Sequence, residues 1–247
     1  MRKEFLILIL TGGIMSCCCP YSKTFQEAEA LLSSAPDSTL VMLDDVQAAG
    51  LRSRRMKAEY ALLSARAQDA MYGFVPSEDA GRLAAAAEYF EKKGPREDRL
   101  DAWYMLGKVQ LANNALYRAV VSFEHALAAA DELKDDGARG RICHQLAYAF
   151  NASGQHVAAA RQLYDSYQAF TRASMDKDSR QTLLEYGQAW YNFERYDEAA
   201  VIFNTVLAQA TRQRIPLPRS ATSRIILPCC LKWTLSIRAL QGICSPA

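Results

Sequence analysis

Between Leu100 and Leu133 the chain reads LDAWYMLGKVQLANNALYRAVVSFEHALAAADEL. Apolar and small residues recur there at three- and four-residue steps, the signature of an amphipathic helix. Trp103, Leu106 and Gly107 share one helical face; after a break at Asn113-Asn114, Ala119, Phe123 and Ala126 share another. The arrangement returns forty residues later and forty after that. With Leu100, Gly140 and Arg180 as position 1, position 4 is Trp103, Cys143 and Leu183, and position 7 is Leu106, Leu146 and Tyr186. Position 8 is small (Gly107, Ala147, Gly187), as is position 20 (Ala119, Ala159, Ala199). Position 24 is large (Phe123, Leu163, Phe203). Small residues facing large ones in phase predict pairs of helices in close approach, one hairpin per window.

Upstream the pattern is weaker. A helix over Thr24 to Ser34 shows Phe25, Ala28, Leu31 and Leu32 on one side; Pro36 interrupts it. Asp37 or Ser38 is placed to cap a second helix with the stripe Leu40, Leu43 and Val46, ended by Gly50. Arg52 to Tyr72 forms a longer helix through Met56, Tyr60, Leu63 and Ala67. After a turn at Gly73 and Pro76, Ser77 offers an N-cap for a helix running through Leu83, Ala87 and Phe90 to Lys92 and Lys93, closed by Gly94 and Pro95. Residues 24–93 thus form two degenerate hairpins. Gly137 and Gly140, in the run GARGR, read as a loop between helices.

Residues 214–247 break the pattern: they carry Arg214, Arg219, Arg224, Lys232 and Arg238 and no side-chain carboxylate, and Pro216, Pro218 and Pro228 preclude a long helix. Leu231, Trp233, Leu235 and Ile237 alternate as in a strand, while Leu231 and Leu235 also fit a helix; both remain open. The tail either covers the last hairpin or marks a frame shift in which final repeats were lost.

The first window resembles the tetratricopeptide repeat (TPR), whose signature W-x2-L-G-x2-Y, then A-x3-F, then A is matched by Trp103, Leu106, Gly107, Ala119, Phe123 and Ala126. It departs at Gln110, where the family prefers tyrosine and the later windows have Phe150 and Trp190, and at Asp131, where it prefers proline. The family period is about 34 residues; here longer helices around Lys134 to Gly140 and Ala173 to Asp178 absorb the excess. The resemblance covers Leu100 to Gln213 strongly and Thr24 to Lys93 weakly. It implies an all-α, right-handed superhelical solenoid of about five antiparallel helical hairpins, in which stacking buries what one hairpin cannot.

The resemblance also implies a concave groove lined by positions 2, 5, 9, 12 and 13 of each first helix. Position 5 gives Tyr104, His144 and Leu184; position 9 gives Lys108, Tyr148 and Gln188; positions 2 and 12 add Arg141, Asn151 and Tyr191. Aromatics mixed with amides and cations suit an extended peptide, whose backbone the amides bond and whose side chains the rings bury. The family's carboxylate clamp for acidic C-termini is absent, since Tyr104, Lys108, Gln145, Gln181 and Glu185 occupy its positions.

The 247 residues are half apolar and 23% charged, a globular composition; a net charge of +2 gives no global argument for nucleic acid. The seven cysteines show neither a disulfide framework nor zinc spacing, and Cys143 reads as a small buried apolar residue. His144 and Cys143 are adjacent and point about 100° apart on a helix, so they do not share a metal easily. No protease, hydrolase, phosphate-loop or dinucleotide motif is found. The expectation is a binding protein without cofactor or metal.

The N-terminus reads as a targeting segment. Arg2 and Lys3 precede the apolar run Phe5 to Met15, too short to span a bilayer. Ile14-Met15-Ser16-Cys17 resembles the bacterial lipoprotein box, which implies cleavage after residue 16 and acylation of Cys17, with residues 17–23 as a linker. An ordinary signal peptide with cysteines nearby by chance is the alternative. The stretch AEALLSSAPDSTLVMLDD resembles a wider group of bacterial lipoproteins that join such a box to a helical hairpin and a repeat array, through Ala28, Glu29, Leu31, Leu32, Pro36, Asp37, Ser38, Leu40, Leu43 and Asp44. Together these imply a scaffold anchored in the cell envelope, on the periplasmic or surface face of the outer membrane, that binds a protein or peptide. The alternative is the extracytoplasmic sensing part of a signalling protein. Cys17→Ser should move the protein from the membrane to the soluble envelope fraction, or leave it unprocessed; unchanged fractionation and unchanged mass would show that Cys17 is no anchor.

Overall fold

The computed structural model describes residues 20–213; Cys17, the preceding signal and the tail lie outside them. Among the described residues there are ten α-helices, one short 3-10 turn and no strand. The helices are α1 (Pro20–Leu31), α2 (Pro36–Ala49), α3 (Arg54–Tyr72), α4 (Ala80–Lys93), α5 (Arg96–Ala112), α6 (Leu116–Leu133), α7 (Asp136–Ala152), α8 (His156–Arg172), α9 (Asp176–Asn192) and α10 (Tyr196–Gln213). Each packs mainly on the helices before and after it, giving five stacked hairpins. The core is a succession of small clusters, from Phe25, Leu43 and Leu63, where α3 packs on the first hairpin, to Ala199, Ala200 and Phe203 in the last.

The turns repeat as faithfully as the helices. Asn114, Gly154 and Glu194, forty residues apart, have φ of 57°, 76° and 61° and join the two helices of a hairpin. Lys134 and Ser174, both at φ 57°, join one hairpin to the next. In each turn the following amide donates to a carbonyl five residues back, as Ala115 N does to Gln110 O at 2.8 Å and Met175 N to Phe170 O at 2.9 Å. This is the Schellman closure, which satisfies carbonyls the helix end leaves unbonded. Two 17-residue helices and two three-residue turns fill the forty residues from Asp136 to Met175. Long helices, not long loops, therefore stretch the period.

Glycine and phenylalanine set the helix separation. A Cβ on Gly107 would stand 2.5 Å from Phe123 Cε1, and one on Gly187 2.5 Å from Phe203 Cε1. Both rings are fully buried and cannot yield. The middle hairpin exchanges volume across the seam, with buried Ala147 and Leu163 at the equivalent positions. Gln110, lacking the family's aromatic, accepts a hydrogen bond from Ser122 Oγ at 2.7 Å instead.

Several sequence expectations need correction. Gly137 and Gly140 are helical, inside α7, which Asp135 caps by accepting from Ala138 N at 2.8 Å. Gly140 is there for space: an added Cβ would lie 2.6 Å from the Phe170 ring. Pro36 opens α2 rather than merely interrupting a helix, because a missing N–H is harmless in the first turn. Neither Asp37 nor Ser38 caps it; Ala35 holds the cap position. Ser77 does not cap α4 but starts the 3-10 turn Ser77–Asp79, and Pro95 starts α5 rather than ending α4.

Gly107→Ala should destabilise the protein by about 1–3 kcal/mol through overpacking. Adding Phe123→Leu should recover part of that loss, since the middle hairpin already pairs alanine with leucine. Urea unfolding of both single variants and the double variant checks this; additive losses would show that these residues do not share a seam.

Candidate partner-binding groove

The first helices of successive hairpins, α1, α3, α5 and α7, touch along one side of the stack. Because each hairpin repeats its separation, residues spaced by the repeat come into line there. Polar bridges link them. Arg66 on α3 pairs with Glu29 on α1 and Asp101 on α5, each at 3.4 Å. Lys108 on α5 pairs with Asp69 on α3 and sits 5.9 Å from the Tyr104 ring centroid. His144 on α7 meets Glu185 on α9 at 2.6 Å. The separations of these partners in sequence, 35 to 41 residues by number, track the repeat.

Two recesses of about 570 Å³ each lie on this line. The first is lined by α1, α3, α5 and α7, and holds Arg66, Asp69, Asp101, Tyr104 and Arg141. Burial, with the Asp69 carboxylate nearby, pushes the Tyr104 hydroxyl up to about 12, so it stays a neutral hydrogen-bonding group. Arg141 is exposed and makes no ion pair among the described residues. The second recess holds Tyr148, Asn151, His156, Glu185 and Gln188. Tyr148 is 53% exposed and meets the His144 ring edge-on at 5.3 Å. Asn151 and His156 are hydrogen-bonded at 2.7 Å, as are Gln188 and Asn192. Burial opposes ionisation of Glu185, but hydrogen bonds with His144 and Gln181 outweigh it and hold the carboxyl below its usual range.

The structure thus divides the sequence's candidate residues. Tyr104 and Arg141 line the first recess; Tyr148, Asn151 and Gln188 line the second. Lys108 and His144 act as bridges between hairpins. Tyr191 lines neither; it packs on the last core cluster with Phe203 and stands 5.3 Å from the Tyr196 ring. Sequence reasoning passed over Glu29, Arg66 and Asp69, which lie in the degenerate hairpins where the repeat frame gives no positions. Among the described residues no three His, Cys, Asp or Glu side chains are arranged to hold a metal ion. Burial raises the Cys143 thiol to about 11 and keeps it protonated.

The sequence matches no family model and no curated protein. Solved structures do match. A kinesin light chain protein from Podosopora anserina with TPR-like repeats superimposes with a TM-score of 0.59 at 22% identity, over 78% of this chain and 96% of that one. The apo form of RapI gives 0.63 at 12% identity, over 78% and 71%. A double mutant of MamA from RS-1 gives 0.58 at 16% identity, over 78% and 97%. The fold is a TPR-like right-handed solenoid of antiparallel hairpins, as the family resemblance implied.

A neighbouring recess collects Glu29, Glu59, Arg66 and Asp98. Burial, reinforced by the Glu29 carboxylate, raises Asp98 to about 6, against the pull of Arg66. A carboxyl raised on folding favours the folded state most when protonated. That stability is fully present below about pH 4, the unfolded value, and declines as pH rises through about 6. Asp98→Asn should therefore stabilise the protein near pH 7 by about 1 kcal/mol, allowing for partial solvent screening. It should also flatten the stability profile between those pH values, as chemical denaturation across the range would show.

Proposed function

We propose that this chain is a lipid-anchored scaffold whose concave groove holds an extended segment of a protein or peptide partner, and that it works by binding rather than catalysis. The observation that carries this is the alignment of recesses along successive first helices, with Arg141 and Tyr148 presented to solvent. Bridges such as Arg66–Asp101 and His144–Glu185 hold the wall rigid. A preformed wall spares a ligand the entropy of ordering its receptor. An extended chain advances about 3.3 Å per residue, so a short segment spans several helices and can use both recesses. The anchor at Cys17, three residues before α1, would hold the first hairpin close to the bilayer of the envelope. Several acyl chains would make that attachment stable. Nucleic acid is not part of this reading.

The test is partner capture from detergent-solubilised envelope, with the captured proteins quantified by mass spectrometry. Arg141→Glu combined with Tyr148→Ala should reduce capture at least about tenfold, the scale on which one interface anchor acts, with helical content unchanged. Deleting residues 215–247 should leave capture in place. Capture kept by the double variant and lost with the tail would falsify the groove reading.

A further inference from the structure

Another recess lies away from the concave face. It holds about 830 Å³ and is lined by α3 and α4, with Gln47 of α2 and Leu51 beside them. Its apolar surface comes from Leu51, Ala58, Ala85, Ala86 and Tyr89. Its rim is basic, with Arg54, Lys57, Arg82, Lys92 and Lys93 against one carboxylate, Glu88. Arg82 is committed to Asp79 at 2.8 Å. The other four cations are exposed and make no ion pair among the described residues. Elsewhere in the stack cations do pair across helices, as Arg99 does with Glu132 at 2.5 Å and Arg172 with Asp136 at 2.9 Å.

The cleft is open because α4 is thin on this side. Gly81, Ala85 and Ala86 leave room where larger residues would close it. The recess bordered by α8 and α10 holds about 280 Å³ and is lined by larger polar residues, including Thr171, Arg180 and Gln209. The α4 wall extends from Gly81 to Lys93, about 18 Å at 1.5 Å per residue, or just over three helical turns.

We propose that this cleft is a second docking surface, which receives an acidic amphipathic helix of a partner protein. The apolar floor between the α3 and α4 cations fits the apolar stripe of such a helix, and carboxylates flanking the stripe would meet Arg54, Lys57, Lys92 and Lys93. The chain's own tail does not fit, because its five cations and lack of carboxylates repel the rim. A flat bilayer does not reach the recessed floor. The site is separate from the concave groove and does not depend on it.

The experiment uses the full processed protein in detergent and a fluorescein-labelled helical peptide of about four turns. The peptide carries leucines along one face and glutamates beside them; a control peptide replaces each glutamate with lysine. Anisotropy should show binding of the glutamate peptide alone, weakened at least about tenfold by high salt. The triple change Lys57→Glu, Lys92→Glu and Lys93→Glu should weaken it by at least the same factor, with the circular dichroism spectrum unchanged. Arg141→Glu with Tyr148→Ala should leave it intact, which separates this site from the groove. Absence of binding, equal binding of the two peptides, or indifference to the triple change overturns the proposal. So does charge-dependent binding to phosphatidylglycerol vesicles without peptide binding, which would make the surface a lipid face. Self-association abolished by the triple change would assign the cleft to a second copy and also overturn it.

Discussion

The distance between the two helices of a hairpin governs everything else in this solenoid. It is held by a bulky residue on one helix seated on a bare patch of the other. Phe123 lies on Gly107 and Phe203 on Gly187. The middle hairpin places its bulk at the far end, where Phe170 lies on Gly140 while the first clear repeat has Leu100 and Ala130 in one cluster. Ser166 Oγ, fully buried, seals that contact by donating to the Gly140 carbonyl at 2.7 Å. Constant separation lets hairpins stack in register, and register brings Arg66 to Asp101 and His144 to Glu185.

Much of this was legible because helical packing leaves a volume record in the chain. Small residues at positions 8 and 20 and large ones at 24 identify the seam, since close-packed helices tolerate no other combination. The pattern misled where one residue type serves two purposes. In GARGR, glycine was read as a loop breaker, yet Gly140 makes room for a ring thirty residues away. Pro36 was read as an ending, yet proline is equally at home opening a helix. Turn signals are local, whereas the reason for a glycine in a helix lies on another element.

The groove was less legible for the same reason. Repeat position alone brought Tyr104, Arg141, Tyr148, Asn151 and Gln188 to the recesses, but not which charged neighbours are already engaged. Lys108 looked available from its position and is held by Asp69, whose α3 lies outside the repeat frame. Tyr191 shares a position with Asn151, yet the last hairpin draws it onto Phe203 and Tyr196. Engagement between hairpins ties Lys108 and His144 into the stack and leaves Arg141 and Tyr148 exposed beside the recesses.

The turns carry a consequence of their own. Ala115, Gln155 and Met175 each complete the closure of one helix and stand immediately before the next. Such a joint has no slack, so a residue inserted there must be absorbed by a helix, where it rotates everything downstream by about 100°. The array then behaves as a lever: a one-residue change at residues 153–155 would leave the individual helices folded, yet rotate Glu185 and Gln188 away from Tyr148 and Asn151 and split the second recess. Evolution can lengthen or shorten this molecule readily only by whole hairpins, which keeps the spacing of its contact points quantised.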